Sequence, residues 1–411
     1  MKWPLKRNVG RNPSSGAPGA GILSDLNVQN VSSGLISATL ICTGPAIVLL
    51  EAAAAGNLSD RQTIGWMFAC YFLGGLFGVV MSLWHRKPFV GGHSLTGVAF
   101  LATVAAQFPY SQLIGAFVMS GLLIFLVGIS GILTTVMKWV PRQVIAAMLA
   151  GLVAGYVVRL VPAAKELPLV GGLAVLSYFV CMKFTRRIPP ALVAVVVAVL
   201  ATLATQRLEF PGTDLPFMLP MLQQPEFTFT ALVSVAVPLA LLILSNDIAL
   251  GIGALIGENF DPPVRRLVIM SGVFSMAAGI LGGQSANVAG MASAICAGQE
   301  SGPKASRYMA SLVSSVVTLA FGVLAWKVVP FVKSLPPALF AMLGAFALIG
   351  VLLSNLKEAF ADNGHAISAL TAFVVALSNV SFLQISAPVW AILSGIAVNW
   401  FMKIGISSKK G

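Results

Sequence analysis

The chain consists of long apolar stretches separated by short polar connections over almost its whole length. A helix needs about 20 apolar residues to cross a bilayer, so the pattern predicts fourteen membrane segments, seven on each side of a polar, proline-rich loop at 206–226. The first seven lie near 33–54, 62–84, 94–107, 112–137, 142–160, 167–183 and 189–205. The second seven lie near 228–257, 265–281, 287–299, 306–330, 335–355, 364–380 and 384–403. Segments 94–107 and 287–299 are too short to cross the bilayer alone.

Composition supports an all-α polytopic membrane protein. Of the 411 residues, 57% are hydrophobic and only 9% are charged, whereas a soluble domain carries about a quarter charged residues. The four cysteines, Cys42, Cys70, Cys181 and Cys296, lie in apolar stretches without CxxC spacing. They are typical of small core residues, so we expect no metal site and no cofactor.

The charge pattern predicts which loops face the cytoplasm. If the N-terminus is inside, most of the 25 Lys and Arg residues fall in loops on the cytoplasmic side, as the positive-inside rule requires. The net charge of +12 therefore needs no nucleic-acid partner. Residues 1–32 form a basic cytoplasmic tail and an interfacial segment, and both termini are predicted to be cytoplasmic.

Two sequence matches predict an internal repeat. Gly-Gly-His-Ser at 91–94 is matched by Gly-Gly-Gln-Ser at 282–285, which lies 191 positions later, and 140–146 resembles 335–341 at an offset of 195. Because each half holds an odd number of crossings, the halves are inverted in the membrane. Inverted repeats are typical of alternating-access transporters, whose binding site lies near the midplane between broken helices.

The Gly-Gly motifs predict two half-helices. We expect 88–93 and 279–284 to be extended, with Ser94 and Ser285 as N-caps and with Thr96 and Asn287 in the first helical turns. Two helix N-termini at one point favour an anion. The alternative is that the glycines only permit close helix packing.

Three ionisable residues lie inside the predicted bundle. Asp247 is mid-segment, and intramembrane acids are functional candidates by default; the alternative is that it caps a break in its own helix. His93 is a candidate to titrate or to donate to a carboxylate, or else a neutral histidine bonded to backbone. Gln284 corresponds to His93 in the 191-residue repeat, so we expect both to face the substrate. Glu51, near the outer end of its helix, is assigned a wetted or interfacial role.

The sequence Thr43-Gly44-Pro45 stands in the middle of the first segment. Pro45 is expected to kink this helix and to free a backbone carbonyl. Such a kink either opens space beside the site or has no functional role.

Three stretches, 82–89, 211–217 and 282–298, resemble the benzoate/proton symporter family, the BenE group, which is related to nucleobase–ascorbate and sulfate-permease type transporters. The resemblance covers roughly 33–405. It implies a core domain at 33–137 and 227–330 and a gate domain at 138–205 and 331–405, with 206–226 as an external loop. The implied fold is a seven-plus-seven inverted repeat with two short extended strands and with half-helices as segments 3 and 10.

On that mapping the substrate lies between segments 3 and 10 and faces segments 8 and 1. The implied substrate-binding residues are Thr43, Pro45, His93, Ser94, Leu95, Thr96, Asn246, Gln284, Ser285, Ala286 and Asn287. Asp247 is the first candidate for the coupled proton, and His93 is the second. This chain departs from the family pattern in having an acid at 247 and glutamine at 284.

These patterns together predict a secondary active transporter that imports a small organic anion, benzoate or a related aromatic carboxylate, by proton symport. The proton is the coupling ion. The alternatives are a transporter, channel or facilitator for another anion or a nucleobase and, more weakly, a membrane receptor or enzyme, since no nucleophile–base pair or phosphate loop is present. We expect a multi-pass protein of the bacterial inner (plasma) membrane, in contact with lipid and forming a homodimer.

Overall fold

A computed structural model describes residues 22–132, 141–184, 190–205, 222–380, 382 and 387–407. The predicted basic tail (apart from 22–32) and most of the predicted loop at 206–226 lie outside these residues. The described chain is nearly all-helical. The helices, in order, are α1 (Val28–Ala55), α2 (Asp60–His85), α3 (Leu95–Val104), α4 (Tyr110–Ser130), α5 (Arg142–Val158), α6 (Leu160–Glu166), α7 (Pro168–Phe184), α8 (Pro190–Thr205), α9 (Phe229–Ile256), α10 (Val264–Ile280), α11 (Gly290–Ala297), α12 (Tyr308–Val323), α13 (Ala325–Lys333), α14 (Pro337–Ala359), α15 (Ala366–Ser378) and α16 (Ala387–Ser407).

Within the described residues, seven helical stretches are long and apolar enough to cross a membrane. These are α1, α2, α4, α5 together with α6, α9, α12 with the turn before it, and α14. Helices α3, α7, α8 and α15, and the Val389–Met402 part of α16, are apolar but shorter. The predicted segment at 306–330 is interrupted, because α12 ends at Val323 and α13 begins at Ala325. The count of fourteen crossings stays a prediction.

The helices pack in two groups. In the first, α4 lies on α10, and α12 lies on α1 and α2. In the second, α5 lies on α14 and α15, and α7 lies on α8. We call these the core group (α1–α4 and α9–α12) and the gate group (α5–α8 and α14–α16). They meet where α14 packs on α1 and where α5 packs on α3. The predicted core and gate boundaries stay predictions.

Two short strands lie inside the core group. Strand β1 (Gly91–Gly92) pairs antiparallel with β2 (Asn287–Val288), with Gly91 opposite Val288. Strand β1 lies directly on α2. A Cβ atom at Gly91 would meet the carbonyl oxygen of Gly74 and would lie 2.5 Å from the amide nitrogen of Gly78. The two α2 glycines, one turn apart, and Gly91 together allow the backbones to touch.

The structural repeat has an offset of 195, so the offset of 191 is wrong. The helix ends His85 and Ile280, and the helix starts Leu95 and Gly290, are each 195 positions apart. The predicted extended stretch at 279–284 is also wrong. Helix α10 continues to Ile280, and β2 begins only at Asn287.

The second glycine pair ends a helix and does not form a strand. Gly282 has φ +98°, and the amide of Gly283 donates to the carbonyl of Ala278 at 2.7 Å. Glycine in this conformation commonly closes a helix C-terminus. The similar sequences at 91–94 and 282–285 therefore have different backbone structures: the first glycine pair forms a strand, and the second ends a helix.

Candidate functional site

Ser94 begins the first half-helix. Its Oγ accepts a hydrogen bond from the amide of Gly97 at 3.0 Å, so the predicted N-cap is confirmed. Its own amide donates to Oγ of Ser285, also at 3.0 Å. Ser285 therefore ties the two repeats together, and the prediction that it caps the second half-helix is wrong. Leu95 and Thr96, in the first turn of α3, are half-exposed.

The second half-helix starts without a side-chain cap. Its N-cap position is Ala289, and α11 begins at Gly290. The first amides of a helix have no partner within the helix, so this end offers free donors and the positive end of the helix dipole. Asn287 was predicted for this first turn, but it lies in β2, where its buried Oδ1 has no hydrogen-bond partner. Ala286 is buried before β2, held by Ser275 of α10.

Helix α9 is irregular at two places, and the second of them passes the half-helices. It contains two π-helical stretches, Leu232–Ala236 and Ile243–Ile248. Pro238, which cannot donate a backbone hydrogen bond, is the second residue after the first stretch. In the second, Oγ of Ser245 donates to the carbonyl of Leu241 at 2.7 Å. Such π-turns are frequent at functional sites.

Asp247 lies in the second π-helical stretch and is buried. Its carboxyl group lies beside the hydroxyl group of Ser94, and its Oδ2 has no hydrogen-bond partner. The helix continues past it as far as Ile256, so the alternative that Asp247 caps a helix break is not supported. Its neighbour Asn246 is half-exposed, with an unpartnered Nδ2.

Both half-helix starts pack against α9. A Cβ atom at Gly290 would lie 2.8 Å from the backbone oxygen of Asp247. A Cβ atom at Gly97 would lie 2.6 Å from the side chain of Leu239. The starts of α3 and α11 therefore converge on one stretch of α9, with Asp247 at the contact. Gly97 and Gly290 were not identified from the sequence, although each is the small residue that a half-helix start needs for close approach.

Pro45 and His93 form the side of the site next to α1. Because Pro45 has no amide hydrogen, the carbonyl of Ile41 loses its helical donor, and the hydroxyl of Tyr71 donates to it at 3.0 Å. The predicted freed carbonyl is confirmed. The ring of His93 lies edge-on to Tyr71 at 4.7 Å between centroids and beside the backbone of Pro45. Neither ring nitrogen of His93 makes a hydrogen bond of standard geometry.

The family model described as BenE, benzoate membrane transport protein, matches residues 24–401. The chain belongs to this family. It is 26% identical over 376 residues to the benzoate membrane transport protein of Acinetobacter baylyi, covering 90% of this chain and 94% of the relative. It is also 26% identical over 370 residues to the inner membrane protein YdcO of Escherichia coli, covering 88% and 93%. The predictions of the BenE group and of a membrane transporter, not an enzyme, are confirmed.

Solved structures share the fold of this BenE-family chain. The transmembrane domain of the cyanobacterial bicarbonate transporter BicA has a TM-score of 0.58 at 16% identity, covering 90% of this chain and 98% of that chain. SLC26A9 has a TM-score of 0.61 at 12% identity, covering 93% and 66%. Murine Slc26a9 in the inward-facing state has a TM-score of 0.57 at 14% identity, covering 100% and 77%. The predicted fold class, a multi-pass helical membrane protein, is confirmed.

Two predicted site residues of this BenE-family chain, Gln284 and Thr43, make hydrogen bonds within the protein. Oε1 of Gln284 accepts hydrogen bonds from the indole nitrogen of Trp66 and from Sγ of Cys70, both on α2. With the repeat at 195, Gln284 no longer corresponds to His93. The hydroxyl of Thr43 donates to the carbonyl of Thr39 within α1 at 2.7 Å.

Proposed function

We propose that this BenE-family chain imports a small aromatic carboxylate, benzoate or a close relative, by proton symport with alternating access. The observation that carries the proposal is the pairing of β1 with β2, which brings the starts of α3 and α11 together beside Asp247. The uncapped first turn of α11 supplies amide donors for the substrate carboxylate. Leu95 and Thr96 in the first turn of α3, Pro45 on α1 and Asn246 on α9 are each half-buried, and we assign them to the lining of the substrate site.

The aromatic ring of the substrate would face the gate group. Helix α5 packs on α3, and residues 144–153 of α5 carry only apolar side chains. An apolar surface opposite an anion-binding helix terminus suits a molecule with a carboxylate at one end and a ring at the other.

Asp247 would couple the proton to the substrate. An ionised carboxylate here would repel the carboxylate of the substrate strongly, because the surroundings are of low dielectric constant. A proton on Asp247 removes this repulsion, so each ligand raises the affinity for the other. His93, whose ring lies beside the backbone of Pro45 and makes no hydrogen bond of standard geometry, is the second candidate for the proton.

The test is uptake of labelled benzoate by the purified protein in proteoliposomes. We expect accumulation when the external solution is acidic relative to the lumen, and its loss when a protonophore is added. Asp247→Asn should abolish accumulation but retain exchange of benzoate across the membrane, whereas Asp362→Asn, at an exposed loop position, should behave as the parent. Absence of benzoate uptake under every gradient would refute the proposal that benzoate is the substrate. Accumulation of benzoate by the Asp247→Asn variant would refute the role of Asp247 in proton coupling.

A nucleobase is the second candidate substrate. The buried Oδ1 of Asn287 lacks a donor, and nucleobases carry N–H groups that benzoate does not have. Competition by unlabelled nucleobases against labelled benzoate separates the two substrates. Equilibration without accumulation would instead indicate a channel or facilitator.

A further inference from the structure

A second buried acid lies between the core and gate groups, away from the half-helices. Glu51 is six residues after Pro45 on α1, which places it about 9 Å further along the helix. It is 9% exposed, so the wetted or interfacial role predicted for it is not supported, and its Oε2 has no hydrogen-bond partner. A buried carboxyl group without partners is costly when it is ionised. The site described above does not use it.

The carboxyl group of Glu51 lies directly on the backbone of α14. A Cβ atom at Gly344 would lie 2.5 Å from Cδ and 2.8 Å from Oε1 of Glu51. One turn earlier on α1, Ile47 belongs to an apolar cluster with Leu343 and Phe346 of α14. We call this contact, formed by Ile47 and Glu51 on α1 with Leu343, Gly344 and Phe346 on α14, the α1–α14 seam.

Among the residues that the structure describes, Arg159, at the junction of α5 and α6, is the charged group that acts on Glu51; its positive charge favours the carboxylate, in opposition to the cost of burial. The ionisable side chains of α14 are Lys357 and Glu358, which lie more than three turns beyond Gly344. Helix α8 has none, and α12 has only Tyr308, at its first residue. The state of the seam is therefore set mainly by whether Glu51 itself carries a proton.

We propose that Glu51 is a proton-dependent latch between the core and gate groups. With a proton bound, its neutral carboxyl group can be buried against Gly344, and the seam closes. When the proton leaves, the carboxylate requires water, which favours separation of α1 from α14. The charge pattern predicts that this end of α1 faces the outside. If the symport proposed above is correct, a proton from the external solution must bind Glu51 before the external side closes.

The test measures opening of the seam without any substrate. A cysteine replaces Ile47, and its labelling by a maleimide is followed in nanodiscs, where both faces of the protein meet the reagent. The parent chain with its four native cysteines supplies the background. Comparing rates with and without Glu51→Gln at the same pH cancels the ionisation of the thiol itself. Asp60→Asn, an exposed acid at the start of α2, is the matched control.

We expect Glu51→Gln to slow labelling at alkaline pH by about tenfold or more, and to have little effect at acid pH. A tenfold change in rate corresponds to a difference of one unit between the pKa of Glu51 in the open state and its pKa in the closed state. Glu51→Asp should keep the pH dependence, and Asp60→Asn should leave it unchanged. Glu51→Ala gives the same prediction as Glu51→Gln if the latter does not fold. A rate ratio that is constant across pH, or an equal effect of Asp60→Asn, would overturn the latch. A failed benzoate assay would not overturn the latch, because the labelling experiment needs no substrate.

Discussion

Strand β1 offers a sharp test of the site, because its two glycines point in opposite directions. A Cβ atom at Gly91 would meet backbone atoms of α2, with the amide nitrogen of Gly78 at 2.5 Å. The atoms nearest to a Cβ atom at Gly92 would belong to the side chains of Ala289, at 3.3 Å, and Ile41, at 3.7 Å. Backbone atoms inside a packed helix cannot rotate away. Gly91→Ala must therefore displace β1, whereas Gly92→Ala requires a shift of a few tenths of an ångström.

Overpacking of a core costs about 1–3 kcal/mol, and we expect Gly91→Ala to lie at the upper end, about 3 kcal/mol. Gly92→Ala should cost about 1 kcal/mol or less. The displaced strand would also separate the amide of Ser94 from Ser285, so uptake should fall with stability. Thermal unfolding of the two variants in detergent and their uptake in proteoliposomes provide the comparison. If Gly91→Ala were as stable and as active as Gly92→Ala, the close approach of β1 to α2 would be refuted.

Two further substitutions test contacts at the edge of the site and outside the membrane. Tyr71→Phe leaves the carbonyl of Ile41 buried without a donor, so we expect a loss of about 1–3 kcal/mol in stability toward unfolding. The control, Tyr178→Phe in the gate group, should have almost no effect on stability. Equal losses in the two variants would contradict the role of the freed carbonyl. Hydrogen bonds from Gln112 and Ser111 hold the pKa of the exposed Glu226 carboxyl below its ordinary value. These bonds therefore stabilise the fold above the pKa of the unfolded state, and the gain disappears as the pH falls through the lower folded value. Glu226→Gln should lower the thermal midpoint at neutral pH and converge with the parent in acid; a difference that persists in acid would contradict this.

The length of the apolar runs was sufficient to locate most of the helices. The predicted segments fall on α1 to α16, because a membrane crossing requires a long apolar run whatever its tertiary contacts. The half-helix at Ser94 was also predictable, since a short apolar segment followed a glycine pair and a residue that caps helices well. The freed carbonyl of Ile41 followed from Pro45 alone.

The second half of the site was not predictable in the same way. A glycine pair can form a strand, as at 91–92, or end a helix, as at 282–283, and the sequence around it does not distinguish the two. Of the two π-helical stretches of α9, the first lies on α4 and the second contacts α3, β2 and α11; no local sequence pattern reports these contacts. Gly290, whose missing side chain admits the backbone of Asp247, looks like any small residue in an apolar run.

The two repeats share a backbone path but not a set of polar groups, and this difference assigns their roles. The start of α3 is capped by Ser94, whereas the start of α11 has no side-chain cap, so the second repeat provides the stronger anion-binding end. The acid beside that end, Asp247, lies on α9, also in the second repeat. In the first repeat, α1 carries its acid, Glu51, against the gate group instead. One inverted repeat would therefore bind the substrate and its proton, while the other connects proton binding to the movement of the gate.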